Sequence, residues 1–374
     1  MIDLTGTHGV LTEQICEMRK KALKIRKKRD TSESIATWLE DDYLLVGPGK
    51  ALVFILNSKG CQWGLGSFGG CSMCGYSNET SDEVTATHLI EQAKKAIQIF
   101  SNKNFQAVKI FNSGSFLDSK EIPIEAQTAI FKEICKLENV SEIIIESRPE
   151  YITKKSLNRL TSIIGEEKQL EIGIGLESSN DSIRINNINK GFLFEDFSKA
   201  VKITLNEQVR VKSYVLLKPP FLTELEAIKD TYQTILDAIK IGSRSISINP
   251  LNVQNGTIVF DLWKHGLYRP VWFWSVLKVI KDVWGTIHKE GLNHSVDRIL
   301  CDPSGTGTIR SVHNCYKCNK DFVRALKDYS VNQSITSLSN LSCKCYDLWE
   351  ELISQEQISR DFSLSRLENA KDFL

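Results

Sequence analysis

Gly60-Cys61-Gln62-Trp63-Gly64-Leu65-Gly66-Ser67-Phe68-Gly69-Gly70-Cys71-Ser72-Met73-Cys74-Gly75-Tyr76 follows directly on the apolar run Ala51 to Leu56, which has the length and composition of a buried β-strand. Three thiolates on one Gly-rich loop can hold three irons of a cubic four-iron four-sulfur cluster and leave the fourth iron open to a small molecule. The rival is zinc, but a closed structural zinc wants four protein ligands, and no fourth Cys or His lies within ten residues on either side. The loop therefore reads as a cluster site with Cys61, Cys71 and Cys74 as ligands.

Downstream, apolar runs alternate with segments of helical period, such as His88 to Phe100 and Ile124 to Leu137. The strand candidates are 51–56, 105–111, 141–145, 170–176, 209–217 and 243–248, and their alternation with helices predicts parallel βα units. Cys135 falls in the second helix and reads as core. The expected architecture is α/β: a partial, TIM-like barrel of six βα units over 49–292. A basic helical segment, 1–48, precedes it, and a small Cys-rich metal-binding module, 293–374, follows. In parallel barrels the working residues collect where strands end. Here the first strand runs into the cysteine loop and the other five into Asn112-Ser113-Gly114-Ser115, Glu146-Ser147-Arg148-Pro149-Glu150, Glu177-Ser178-Ser179, Lys218-Pro219-Pro220 and Asn249-Pro250-Leu251-Asn252. Any one of these is an ordinary turn; six polar strand ends in register predict one working face.

The second cysteine group is Cys301, His313-Asn314-Cys315-Tyr316-Lys317-Cys318 and Cys343-Lys344-Cys345. Cys315 and Cys318 have knuckle spacing, with Cys343 and Cys345 returning to complete a zinc site. A Cys-x-Cys pair rarely gives both sulfurs to one zinc, so Cys301 or His313 stands as an alternative fourth ligand. A second iron–sulfur cluster and unliganded thiols remain as other readings.

A length of 374 residues, 41% hydrophobic and 25% charged, describes a globular protein with a sizeable core, and the pattern of ten cysteines suits metal in a reducing compartment. No apolar stretch reaches the roughly 20 residues of a membrane span and the N-terminus lacks a signal pattern, so the expected location is the cytoplasm. Net charge is only +1, but eight of the eleven residues from Arg19 to Arg29 are basic, a density suited to phosphates. The alternative for that run is a solvated helix face over a buried stripe of Ile15, Met18, Ala22 and Ile25. Cys16 reads as a buried helix residue beside it.

An open iron above a parallel barrel suits S-adenosylmethionine, whose amino and carboxylate groups can chelate the metal while the rest spreads over the strand ends. Asn112, Ser113, Gly114 and Ser115 are placed to bond the amino group. Glu146 and Glu177 would accept from ribose hydroxyls or the ammonium, and the planar fork of Arg148 would meet the carboxylate.

The cysteine loop and strand ends resemble the radical SAM superfamily and, within it, the Elongator-catalytic-subunit-like branch. The spacing departs from the superfamily's usual Cys-x3-Cys-x2-Cys, since nine residues separate Cys61 from Cys71; a widened first gap is typical of that branch. Gly-Gly-Cys-Ser-Met-Cys-Gly-Tyr, Glu-Ser-Arg-Pro-Glu-Tyr, Gly-Leu-Glu-Ser, Tyr-Val-Leu-Leu-Lys-Pro-Pro and His-Asn-Cys-Tyr-Lys-Cys, over about residues 45 to 350, are similar to the archaeosine-forming radical SAM enzymes. The resemblance implies a lyase acting on transfer RNA. A partner, the lysine-adding archaeosine synthase, joins lysine to 7-cyano-7-deazaguanine at position 15. The radical enzyme, fed by an electron donor, then breaks a carbon–nitrogen bond of that lysine. Lys218, Asn249 and Gln254 are expected substrate contacts by position alone, Lys218 being equally readable as a turn residue. RNA would be held by the basic run and by Lys317, Lys320, Arg324 and Lys327 of the Cys-rich module. The competing readings are radical chemistry on another RNA or a small metabolite, and a non-catalytic cluster-bearing RNA-binding protein.

Overall fold

The computed structural model describes residues 9–26, 29–359 and 363–370. Eight strands form one sheet in sequence order: β1 (Ala36–Leu44), β2 (Gly47–Ile55), β3 (Ala107–Phe111), β4 (Glu142–Glu146), β5 (Gln169–Glu177), β6 (Arg210–Leu217), β7 (Ser245–Pro250) and β8 (Arg298–Leu300). β1 pairs antiparallel with β2, and every later pair is parallel. The helices are α1 (Thr12–Lys24), α2 (Gln62–Leu65), α3 (Ala86–Ile99), α4 (Ile124–Cys135), α5 (Lys154–Ile164), α6 (Phe194–Asn206), α7 (Glu224–Lys240), α8 (Ile258–Lys264), α9 (Phe273–Lys289), α10 (Asn319–Asn332), α11 (Cys345–Ile358) and α12 (Ser363–Ala370).

All six predicted strands are present, as β2 to β7. Threonines stop the connecting loops and start helices: Thr85, Thr153, Thr223 and Thr257 each accept a bond from the backbone N–H three residues on. On β4, Ile143 and Ile145 join the large core under the helices, whereas Ile144 packs with Ala51, Val53 and Ala107 on the opposite, inner face. The same alternation puts Glu142 and Glu146 inside.

Two strands escaped the sequence reading. β1 lies within the segment expected to be helical, where Glu40, Asp41 and Asp42 disguise a strand. β8 has three residues, too few to show a period. The Cys-rich module does not stand apart from the barrel: Cys318, Phe322, Tyr329, Cys345 and Trp349 share one continuous core with the barrel strands and helices.

Arg298 demonstrates the curl of the sheet. In a flat sheet β4 and β8 would be about 19 Å apart, four spacings of about 4.8 Å. Yet Arg298 donates to Glu142 on β4, to Glu171 on β5 at 2.6 Å and to the carbonyl of Tyr43 on β1 at 2.7 Å. Lys212 and Ser245 also meet Glu171, and Lys109 pairs with Asp42 at 2.6 Å, so charged side chains plug the barrel near the strand starts. Burial pushes the Glu171 carboxyl up, but Arg298, Lys212 and Ser245 outweigh it and hold the group at about 2.

Removing one partner from this fully buried set is costly. Arg298→Met is expected to lose about 3–5 kcal/mol and to lower the melting temperature by roughly 5–10 °C, read by circular dichroism at neutral pH. Converting Glu142 and Glu171 to Gln in the same chain should recover part of the loss, and a change below about 1 kcal/mol would refute a role for the network. Because the Glu171 pKa is depressed when folded, its contribution is complete above the ordinary value of 4.5 and is lost as pH falls towards 2.

Candidate functional site

Cys61 caps the single turn α2, which leaves the C-terminal end of β2, and Cys71 and Cys74 close the loop that follows. Gly69 and Gly70 have φ of 69° and 85°. A Cβ on Gly69 would lie 2.8 Å from the backbone of Cys16, and one on Gly70 would lie 2.8 Å from Gly64 Cα, so only glycine lets α1 and α2 close on this loop. Trp63 stacks on Phe68 at 4.6 Å and donates to the Asn189 carbonyl, while the Asn189 amide donates to the carbonyls of Phe68 and Gly70.

Arg19, expected among the phosphate-facing cations, is buried. Its guanidinium donates to the carbonyls of Gly69 and Cys74 and to Asn78 Oδ1. Arg26 and Arg29 pair with Asp82 and Glu79. The run thus braces the cysteine loop and leaves Lys20, Lys21 and Lys24 exposed; Lys27 and Lys28 lie outside the described residues. Of the expected stripe, Ile15 and Ala22 are buried and Met18 partly so, but Ile25 is 83% exposed because the helix ends at Lys24. Cys16 is only half-buried, its Sγ donating to the Ser67 carbonyl.

Burial pushes the Cys61 thiol up to about 11 and raises Cys71 and Cys74, each against the pull of a nearby cation: Arg148, Lys190 and Arg19 respectively. Buried thiolates here need further positive charge, which a bound metal centre would supply. A tetrahedral ion with metal–sulfur bonds of about 2.3 Å holds its sulfurs about 3.8 Å apart. Among the described residues the cysteines whose sulfurs all gather within 4.8 Å of one another are Cys315, Cys318, Cys343 and Cys345.

Beside Cys61 the loop after β3 is organised by Glu121, a residue the sequence reading missed. Its carboxylate accepts from the Asn112 amide, the Gly114 and Ser115 N–H groups and Ser58 Oγ. A Cβ on Gly114 would sit 2.6 Å from Cys61 Cα. Ser115 Oγ is occupied by the Arg148 N–H, whereas Asn112 Oδ1 and Ser113 Oγ are buried without a partner. Those two orphaned atoms are what a cofactor amine beside the cluster would satisfy. No signal in the sequence singled out Glu121, six residues past Ser115 in a loop.

Arg148 lies between the Trp63 and Phe192 rings, 5.3 Å from each centroid, and donates to Glu150 and to the Lys190 carbonyl. Much of its fork is committed to the protein. Glu177, at φ 66°, accepts from Lys190 Nζ at 2.7 Å, and Lys190 was also missed. Glu146 faces the lumen beside the Tyr214 hydroxyl. Burial pushes its carboxyl up to about 7 against the pull of Tyr214 and Lys212. A Cβ on Gly173 would lie 2.6 Å from the Tyr214 ring, so that glycine makes room for the phenol.

Of the expected substrate contacts, Asn249 is half-buried on β7, its Oδ1 accepting from Ser247. Lys218 points inward: its ammonium donates to the buried Glu224 at 2.7 Å, and Glu224 also accepts from Trp272 N and Ser275 Oγ. It is thus one member of an ion pair, in a left-handed backbone conformation (φ 68°) before two prolines. Gln254 accepts from the Gly75 N–H and so supports the cysteine loop.

In the C-terminal region Cys315 Sγ lies 3.6 Å from the sulfurs of Cys318 and Cys343, and Cys318 Sγ lies 3.7 Å from that of Cys345. These separations match the tetrahedral edge given above. Both members of the Cys-x-Cys pair contribute, because Cys343 ends the loop and Cys345 begins α11. Cys301 is buried elsewhere, after β8, and the His313 ring bonds the Ser311 carbonyl, so neither is needed.

No family model matches the chain. It is 36% identical over 350 residues to archaeosine synthase subunit beta of Methanosarcina acetivorans, covering 93% of this chain and 97% of that one. It is 35% identical over 320 residues to archaeosine synthase subunit beta of Thermococcus kodakarensis, covering 84% and 95%. Among solved structures, Methanocaldococcus infernus Elp3 aligns over 57% of this chain and 60% of its own, with 17% identity and a TM-score of 0.42.

Proposed function

The chain belongs to the archaeosine synthase subunit beta family, and on that premise we propose that it is the radical SAM lyase of archaeosine formation in tRNA, acting in the cytoplasm. The observation that carries the reading is the half-buried set of Cys61, Cys71 and Cys74 on one loop, with the orphaned Asn112 Oδ1 and Ser113 Oγ on the neighbouring loop after β3. Cys61, Cys71 and Cys74 hold a four-iron four-sulfur cluster, and Asn112 and Ser113, positioned by Glu121, receive the cofactor's amino group. When bound, the cluster and S-adenosylmethionine supply an electron and a 5′-deoxyadenosyl radical able to take hydrogen from the lysine arm. Glu146 and Glu177 accept from the ribose. Cys315, Cys318, Cys343 and Cys345 hold zinc.

The substrate is tRNA carrying lysine on its 7-deazaguanine, delivered by a lysine-adding partner; the relatives' name, a subunit beta, supports the existence of a partner subunit. On α10, Lys320, Arg324 and Lys327 share one exposed face, with Lys317 and the 86% exposed Tyr316 just before it, a surface suited to phosphates and an unstacked base. The test is an anaerobic assay of reconstituted protein with dithionite, S-adenosylmethionine and lysine-bearing tRNA, following 5′-deoxyadenosine and the modified nucleoside by mass spectrometry. Archaeosine together with 5′-deoxyadenosine supports the reading. A cluster-loaded sample that yields 5′-deoxyadenosine without archaeosine removes the lyase, and one that yields neither removes radical chemistry altogether.

Glu146 makes cofactor binding depend on pH. With its carboxyl at about 7, it is neutral below that pH and a charged acceptor above it. Affinity for S-adenosylmethionine should therefore rise by up to about tenfold between roughly pH 6 and 8, the scale of a charge-assisted hydrogen bond. Equilibrium dialysis checks this. Glu146→Gln should flatten the profile, and a wild-type profile with no inflection would count against the contact.

A further inference from the structure

A cavity of about 370 Å³ opens beside the cysteine loop, between the ends of β3 and β4 and the starts of α4 and α5. It shares no lining residue with the cluster ligands or with Asn112 to Ser115, Glu146, Arg148 and Glu177, yet its wall includes Gln62, the residue after Cys61. Its polar lining carries both signs of charge: Asp118 and Glu150 on one hand, Lys120 and Arg159 on the other, with Tyr151 facing the acids.

Two atoms in this wall are buried without a partner, Glu150 Oε2 and Arg159 Nε, while the Asp118 carboxylate has the Tyr151 side chain beside it. Asp118 is 3% exposed, and its Oδ1 is taken by the Lys120 N–H at 2.9 Å. Glu150 Oε1 accepts from Arg148, and the Arg159 Nη2 group donates to Gln127. The framework thus holds Asp118, Glu150 and Arg159 each through one polar atom. Unsatisfied buried polar atoms are costly, and those of Glu150 and Arg159 in the wall of one cavity point to a ligand that completes them.

The mixture of signs selects its chemistry. A metal ion would meet the repulsion of Lys120 and Arg159, and a phosphate that of Asp118 and Glu150. A zwitterion satisfies both. We propose that this cavity binds the headgroup of an α-amino acid, its ammonium against Asp118 and Glu150 and its carboxylate against Arg159 and Lys120. Resting on the function proposed above, the site holds the end of the lysine arm. A lysine joined to the base through its side-chain nitrogen carries a free ammonium and carboxylate at the far end. Anchoring that end next to Gln62 draws the arm past the cluster loop and fixes which carbon faces the radical.

The affinity can be measured on the full, cluster-loaded chain without tRNA, by saturation-transfer NMR with three probes. These are free L-lysine, 6-aminohexanoate, which lacks the α-ammonium, and 1,5-diaminopentane, which lacks the carboxylate. L-lysine should bind at least about tenfold tighter than either, since each lost group removes a charged contact. Asp118→Asn and Arg159→Gln should each weaken L-lysine by about tenfold, with iron content and melting temperature certifying the fold. Equal binding of the three probes by the unaltered protein overturns the site whatever the variants do, as does unchanged L-lysine affinity in both folded variants. The probes involve no RNA, so a failure here leaves the archaeosine assay standing, and a failure of that assay leaves an amino-acid site standing.

Discussion

Replacing Cys71 by alanine is expected to abolish formation of both 5′-deoxyadenosine and modified nucleoside, a fall of at least about 10³-fold, and to strip the visible iron–sulfur absorbance from reconstituted protein. The argument rests on where the sulfur sits. Cys71 lies in the loop that Arg19, Asn189 and Gln254 hold from three sides, with Lys190 the nearest cation acting on its thiol. A cubane with two remaining cysteines loses its anchorage, and alanine offers no donor. The matched control is Cys135→Ala, at a half-buried thiol on α4 whose Sγ donates only to the Ile163 carbonyl. It should retain iron and turnover within a few-fold. If Cys71→Ala kept a full complement of iron and sulfide, the cluster assignment of this loop would be wrong.

The second large effect concerns stability. Purified protein should contain one zinc per chain, and Cys318→Ala should lose it together with the ordered packing of α10 and α11. Structural zinc contributes roughly 10–16 kcal/mol of apparent binding free energy in small domains, more than a typical domain's whole stability. Cys318 and Cys345 lie 5% and 7% exposed within the core that includes Trp274, Phe322 and Trp349, and Trp274 Nε1 donates to Cys345 Sγ. Losing the metal would therefore open a core shared with α9, not merely free a tail. A thermal scan should show a melting temperature lower by at least roughly 10 °C or a separate early transition, and tryptophan fluorescence should report it. Metal analysis finding no stoichiometric zinc in protein of unaltered thermal stability would contradict this. Iron in place of zinc would instead make the site a second redox centre.

Much of this was legible in the sequence because it is written locally. Six buried strands stand out as short apolar runs, and the polar strand ends mark where each leads. The cysteine spacings mark out two groups of thiols, three on one loop and two pairs 25 residues apart, and the structure gathers the second group together. Asn112 and Ser113 drew attention for the same reason: they directly follow a strand, β3.

What the chain folds around was not legible. Charge counting treated Arg19 as a phosphate contact, and only the docking of α1 on the cysteine loop makes it a buried brace. Lys218 follows a strand as Asn112 and Ser113 do, but its ammonium is paired with the buried Glu224. Glu121, Lys190 and the cavity around Asp118 carry no motif. Sequence by itself determined six of the eight strands, the order of the loops and the two sets of thiols, because periodicity and spacing need only near neighbours. Tertiary structure alone decided which charges are buried and which partner each one has. Arg298 meets Glu142 across 156 residues, and a contact closed over that distance exists only once the sheet has curled.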